Sequence, residues 1–309
     1  MDLMPKTKKL SHIIIYADKN LPSDPFWTFC TNIGSENPDT DSVFISYDNQ
    51  IDAGGVNQVE HIVQRDADTD TFFFISDSNG AIEYAQNSGI ASCALLTKYN
   101  KGRSFPGVLY CIEDIEYISF SRVERMWMRY HDIPWTITKT KRLVIREQTL
   151  DDLDGLYEIY SDPGIVRYTE DLYKDRAQEA DYLQKYIDNQ YRFFEYGIWA
   201  LTLKGDGTLI GRAGISRREG YELPEIGFVI GKEYQRQGYA KEAVKAIINY
   251  GRTELGFKEY MAFTRPANTA GIRLLESLGF TPAGHTVISG HEHAMYTIHI
   301  GLQPLTKPQ

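Results

Sequence analysis

The stretch FVIGKEYQRQGYAKEAVKAIINYG, residues 228 to 251, sets a single glycine, Gly238, between an apolar run and a long amphipathic one. A helix that begins at or just after Gly238 leaves the amides of residues 236 to 241 without intrahelical partners. Aligned peptide dipoles add about half a positive charge there, so such a turn can hold an anion without a lysine. The same glycine also reads as plain punctuation between strand and helix, and the turn alone leaves both readings open. No GxxxxGK[ST] pattern occurs, so a nucleoside triphosphatase is unsupported and a pyrophosphate bound without a catalytic metal fits better. His291 and His293 in GHEHAM would share one face of a strand, but they lack a visible third ligand for zinc. Cys30, Cys93 and Cys111 form no CxxC pair and read as buried thiols.

The elements that must carry the turn follow from periodicity. Ala240, Ala243, Val244, Ile247, Ile248, Gly251 and Leu255 recur at three and four, one buried helical face. EIGFVIG precedes the turn as a strand, and YMAFTRP, a helix NTAGIRLLESLG and two strands ending at AMYTIHI follow it. Upstream, a strand at residues 142 to 147 leads into a helix with Thr149 as N-cap, Asp152 as its partner acid, and a stripe of Leu153, Leu156, Tyr157 and Tyr160. A second helix covers RAQEADYLQKYIDNQYRFFEY, and GIWALTLK and LIGRAGISRRE form a hairpin across a GDG turn. A strand, two helices, three antiparallel strands, helix, strand, helix and two strands make a mixed α+β layer. Its sheet reverses direction next to the turn, which opens a crevice at the strand ends.

Residues 1 to 138 have a different texture. HIIIYAD, DSVFISYD and DTFFFISDS are short apolar runs ending in polar residues, as buried parallel strands do. NGAIEYAQNSG is helix-sized, with Ala81, Ile82 and Ala85 on one side and Gly89 as its stop; with IASCALL it completes a βαβ unit. A further helix lies within residues 112 to 135, with Val123, Met126, Trp127 and Tyr130 at helical spacing and Pro134 ending it. A chain of 309 residues suits two domains, 1–138 and 139–309.

A net charge of −9 opposes binding to nucleic acid. Nowhere do 18 apolar residues run together, and the start MDLMPKTKKLSHIII has too short an apolar run for a signal peptide, so no membrane and a cytoplasmic location are expected.

QRQGYA resembles the Q/R-x-x-G-x-G/A turn of the GCN5-related N-acetyltransferases, the GNAT superfamily, whose amides hold the pyrophosphate of acetyl-CoA. EIGFVI, YMAFTRPAN and NTAGIRLLESLGF are similar to that family's fourth strand, fifth strand and last helix, over about residues 140 to 301, and the variant looks most like the ribosomal-protein alanine and antibiotic-resistance branch. The resemblance implies a mostly antiparallel, split sheet and acetyl-CoA as co-substrate, with no metal. Phe228, Val229 and Ile230 would offer backbone groups to the pantetheine arm. Gln235, Arg236, Gln237, Gly238, Tyr239, Ala240 and Lys241 would hold the pyrophosphate, and Asn268 would contact the cofactor, cap its helix, or do both.

Acyl transfer needs a neutral amine, and Glu225 stands where the family often places a carboxylate that removes the proton directly or through water. Glu222 is close enough to attract a cation. The position of the family's thiolate-protonating tyrosine is taken by Leu275, so no general acid is named; a thiol of pKa about 8.5 leaves tolerably without one. Tyr168, Glu170 and Tyr173, between the first two helices, would line the acceptor end, for a small amine or a peptide N-terminus.

The N-terminal part resembles a haloacid-dehalogenase-like, Rossmann-like domain with a parallel sheet, although YADKN lacks the DxDx[TV] loop and Asp77 has no evident second acid for magnesium. It reads as a non-catalytic module for recruitment or homodimerisation. The expected activity is acetyl-CoA-dependent N-acetylation in a ternary complex; the alternatives are an acyl-CoA sensor without turnover and a bifunctional protein with an N-terminal phosphohydrolase.

Overall fold

HIIIYAD, FFFIS and ASCAL carry too little polar surface to leave either face in water, and they lie in one sheet with DSVFISY at its edge, where Asp41, Val43 and Ser46 stay exposed. The computed structural model describes residues 8–48, 59–64 and 68–301, so the lysine-bearing start of the chain lies partly outside it. Its two units divide between Ile133 and Pro134.

In the first unit, β1 (His12–Asp18), β2 (Asp41–Tyr47), β3 (Phe72–Ser76), β4 (Ala91–Leu95) and β5 (Cys111–Ile112) pair in parallel in the order β2-β1-β3-β4-β5. Successive β1 residues serve opposite faces. Ile13, Ile15 and Ala17 pack with α1 (Asp24–Glu36), which sequence periodicity did not reveal, while Ile14 and Tyr16 pack with α2 (Asn79–Asn87). The helix α3 (Phe120–Tyr130) joins α1 on its face through Val123, Met126 and Trp127.

Asp18 and Asp77 stand at the carboxyl ends of adjacent strands, where the strand order reverses. The Asp18 amide donates to Asp77 Oδ1 at 3.2 Å, so the second acid not evident in the sequence is Asp18. Burial pushes the Asp77 carboxyl up, against hydrogen bonds from the Tyr47 hydroxyl and the Asp18 amide. Among the described residues no group of three or more His, Cys, Asp or Glu could hold a metal. The three thiols are free, but only Cys93 is buried; Cys30 is part-buried and Cys111 exposed, which corrects the expectation of three buried thiols.

The second unit is built on an eight-stranded sheet, β12-β13-β11-β10-β9-β8-β7-β6. Its strands are β6 (Thr136–Lys139), β7 (Leu143–Arg146), β8 (Ile198–Leu203), β9 (Leu209–Ser216), β10 (Glu225–Ile230), β11 (Glu259–Thr264), β12 (Thr281–Ile288) and β13 (His291–His299). The short edge strand β6 was not expected; it pairs with β7, so residues 136–138 belong to this sheet and not to the preceding domain.

Helices α4 (Leu153–Tyr160) and α5 (Arg176–Tyr186) cover one face with Leu209 and Val229, whereas α6 (Tyr239–Thr253) covers the other with Ala213, Ile215 and Ile226. The expected Thr149–Asp152 box forms, but it opens a 3₁₀ turn, Leu150–Asp152, that leads into α4: the Thr149 amide donates to Asp152 Oδ2 at 2.8 Å, and the Arg146 guanidinium forks onto the same carboxylate. α5 runs on as a π-helical stretch, Ile187–Phe194, where one uninterrupted α-helix was expected. The last helix is α7 (Thr269–Ser277). No described helix is long and apolar enough to cross a membrane.

β10 is an interior strand whose two edges differ. All six of its residues pair with β9, but β11, running parallel, meets it at a single position, Glu225 opposite Met261. β11 is meanwhile held along its whole length by β13. The sheet is therefore two blocks, joined at one bridge and splayed beyond it.

On the far face, α6 packs tightly against the sheet at Gly251. A Cβ there would lie 2.3 Å from the Tyr260 hydroxyl oxygen and 2.8 Å from Ile215 Cδ1. Gly251→Ala should cost about 1–3 kcal/mol by overpacking, read as a lower urea midpoint at unchanged m-value.

Candidate active site

Strand geometry decides which groups of β10 face the splay. The Gly231 amide donates to Ile210 C=O on the β9 side at 2.8 Å, and the Met261 amide donates to Pro224 C=O on the other side at 2.9 Å. Residues alternate edges along a strand, so Gly227 and Val229 turn their backbone groups to β9 while Phe228 and Ile230 turn theirs to the gap. Ile230 C=O is already met by Gln235 Nε2 at 2.9 Å. Of the three residues named from the sequence, Phe228 thus presents both backbone groups to the gap, and Val229 contributes its side chain to the cleft wall.

Beyond Ile230 the chain turns into α6. Arg236 and Gly238 both adopt left-handed conformations, with φ of 59° and 83°, and Gly238 caps the helix without a side-chain cap. Gln237, Tyr239, Ala240 and Lys241 complete the turn and the first helical residues. The amides at this helix start project from the end of the same strand whose edge is bare.

A cleft of about 960 Å³ opens beside Glu225, Gly227 and Phe228. Glu225 is 9% exposed, and both its oxygens are engaged: Arg218 Nε reaches Oε2 at 2.7 Å and Nη2 reaches Oε1 at 3.2 Å. That hydrogen bond raises the Arg218 pKa above its ordinary value despite partial burial. A carboxylate has about four acceptor sites, so the fork leaves roughly two for a proton-bearing ligand or water.

Tyr168 and Glu170 line the cleft, and the Tyr168 hydroxyl donates across it to Ala267 C=O at 3.3 Å. Tyr173 does not; its ring meets that of the lining residue Tyr182 edge-on, with centroids 5.7 Å apart. Asn268 borders the cleft and caps α7, its Oδ1 accepting the Gly271 amide at 3.0 Å. Leu275, His291 and His293 also line the cleft, and Glu222 does not.

A family model described as an acetyltransferase (GNAT) domain matches residues 142–281. A Bacillus subtilis (strain 168) protein named as an uncharacterized N-acetyltransferase, YnaD, is 31% identical over 146 residues, 47% of this chain and 82% of that protein. The chain belongs to the GNAT acetyltransferase family. A second relative of this acetyltransferase, named as the uncharacterized N-acetyltransferase p20 of Bacillus licheniformis, is 32% identical over 149 residues, covering 47% of this chain and 82% of that protein. Among solved structures, a GNAT-family acetyltransferase from Bacillus anthracis is 25% identical and covers 52% of this chain and 96% of its own, with a TM-score of 0.46. GNAT acetyltransferases use acetyl-CoA.

The acetyltransferase braces its helix-start turn with residues that sequence reading missed. Arg142, in the β6–β7 turn, donates Nη1 to Gln237 C=O at 2.9 Å and Nε to Glu242 Oε2 at 2.7 Å, with its guanidinium 4.0 Å from the Tyr239 ring centroid. Glu242 Oε1 accepts the Thr140 hydroxyl at 2.6 Å and the Arg142 amide at 2.8 Å. These partners are about 100 positions apart, so no local spacing could have shown the clamp.

Burial alone would raise the Glu242 pKa, but these hydrogen bonds outweigh it and hold the carboxyl below its ordinary value. Its contribution to stability is therefore full above the unfolded value of 4.5 and is lost as pH falls through the lower folded one. Glu242→Gln should cost about 1 kcal/mol at neutral pH for this part-exposed cluster. Urea unfolding at a series of pH values should show that gap closing on the acid side.

Proposed function

We propose that residues 134–301 bind acetyl-CoA along the bare edge of β10 and transfer its acetyl group to a primary amine in a ternary complex. The supporting observation is continuity: the unpaired backbone of Phe228 and the helix-start amides at Gly238 lie on one uninterrupted stretch of chain, suited to an amide-bearing arm that ends in a pyrophosphate. Asn268 flanks that path. Cytoplasmic location and a primary-amine acceptor, on a small molecule or a peptide N-terminus as in the ribosomal-protein branch, complete the reading.

In the reaction the amine nitrogen forms a bond to the thioester carbonyl carbon, and the carbon–sulfur bond then breaks. In this reading the Phe228 amide donates to the developing oxyanion, and its carbonyl serves the cofactor arm. The amine proton passes to Glu225, directly or through water at the lone pairs that Arg218 leaves open. Leu275 offers no proton, so the thiolate departs unaided and takes its proton from solvent.

Glu225→Gln should keep acetyl-CoA affinity and lower kcat by about 10²–10⁴. Gly238→Val, which forces a branched side chain into a left-handed turn, should weaken acetyl-CoA binding more than tenfold by calorimetry. Equal cofactor affinity in Gly238→Val and wild type would sink the pyrophosphate assignment, and undiminished thiol release in Glu225→Gln would sink the base.

A further inference from the structure

Arg142, Arg146 and Arg218 each meet a carboxylate at 2.7 Å, namely Glu242, Asp152 and Glu225. Arg212, also part-buried and lining the cleft, does not. Its Nε donates to the Tyr160 hydroxyl at 2.8 Å, and its guanidinium lies 4.8 Å from that ring's centroid. Among the described residues its Nη1 and Nη2 have no hydrogen-bond partner, and no carboxylate comes within ion-pair distance. A guanidinium with two uncommitted nitrogens and no paired anion can take a carboxylate in a forked pair, and here its direction is fixed by Tyr160.

The register puts this group over the reaction floor. Arg212 is opposite Val229 and Ser216 is opposite Glu225, so Arg212 projects from the same sheet face as Glu225, Gly227 and Val229. Gly227 lies between them, and packing does not require a glycine there: a Cβ would meet only Ile198 Cδ1, at an ordinary 3.6 Å. Its missing side chain keeps the floor open between the carboxylate and the guanidinium. Four strand residues span about 13 Å, which two long side chains reaching inward reduce to the length of a small molecule.

We propose that Arg212 anchors a carboxylate of the acceptor, so that the acetylated amine belongs to a small zwitterion, an amino acid or a close analogue, and not to a polyamine. This rests on the acetyl-transfer reading above. The lining also carries Glu170, Asp171 and Glu179, of which Glu179 spends Oε2 on the Tyr173 amide at 2.9 Å. With five carboxylates and four arginines lining it, the cleft has a mixed field that suits a molecule bearing both signs.

The test is acetyl-CoA-dependent thiol release with the standard amino acids, each beside its methyl ester, and with linear polyamines. Near neutral pH, below both amine pKa values, the less basic ester amine has the larger unprotonated fraction, which outweighs its lower intrinsic nucleophilicity, so a preference for the acid cannot come from amine reactivity. Wild type should favour at least one amino acid over its ester by tenfold or more in kcat/KM. R212Q should erase that gap by raising KM for the acid, with acetyl-CoA affinity within twofold of wild type by calorimetry. Y160F, which keeps the charge but frees the guanidinium, should narrow the gap partway.

A panel in which no amino acid outpaces its ester, or an R212Q enzyme that slows acid and ester equally, overturns the proposal. Loss of acetyl-CoA binding in wild type would place the failure one step earlier, in the acetyl-transfer reading itself.

Discussion

One bridge between two strands governs the second unit. Glu225 and Met261 are the place where β10 touches β11, and from there the two sheet blocks part. Had the pairing continued to Ile230, Phe228 would have spent its amide and carbonyl within the protein, and β10 would be an ordinary interior strand. Because it stops, a central strand keeps a hydrogen-bonding edge, and that edge runs straight into the helix start at Gly238. The residue at the bridge is also the buried carboxylate of the cleft, so the point where the blocks join and the point assigned to proton removal are one residue.

Much of this was legible because it is local. A left-handed glycine between an apolar run and an amphipathic one, the Thr149–Asp152 cap, the GDG hairpin and the period-two and period-four stripes all lie within a few residues of the features they produce. What escaped was mostly non-local. The Arg218–Glu225 fork turns a bare carboxylate into a shared one, and Arg142 reaches the Gly238 turn from a hairpin about 100 positions upstream. Tyr173 shares its loop with Tyr168 and Glu170, but its ring packs on Tyr182 behind the lining, a tertiary contact that sequence position does not encode. α1 was missed although Phe26, Phe29 and Ile33 keep helical spacing, since Thr28, Thr31 and Asn32 among them dilute the stripe.

The first unit shows the same limits from the other side. Its parallel strands were readable as unbroken apolar runs, yet the approach of Asp18 to Asp77 depends on strand order, which no single strand encodes. A parallel sheet of this order is shared by proteins of many activities. The unit's role therefore has to be argued from its own residues and not from its architecture.

An unpaired strand edge is usually a liability, because a second chain can dock on it and begin a fibre. In this protein the bare edge of β10 faces inward, with β9 filling its other side and β11 standing off across a narrowing wedge. A flat strand from another molecule would have to enter that wedge flanked by its own neighbours, and the walls exclude it. A slender single chain of amides has no such neighbours, so the splay of the two blocks filters what can complete the sheet.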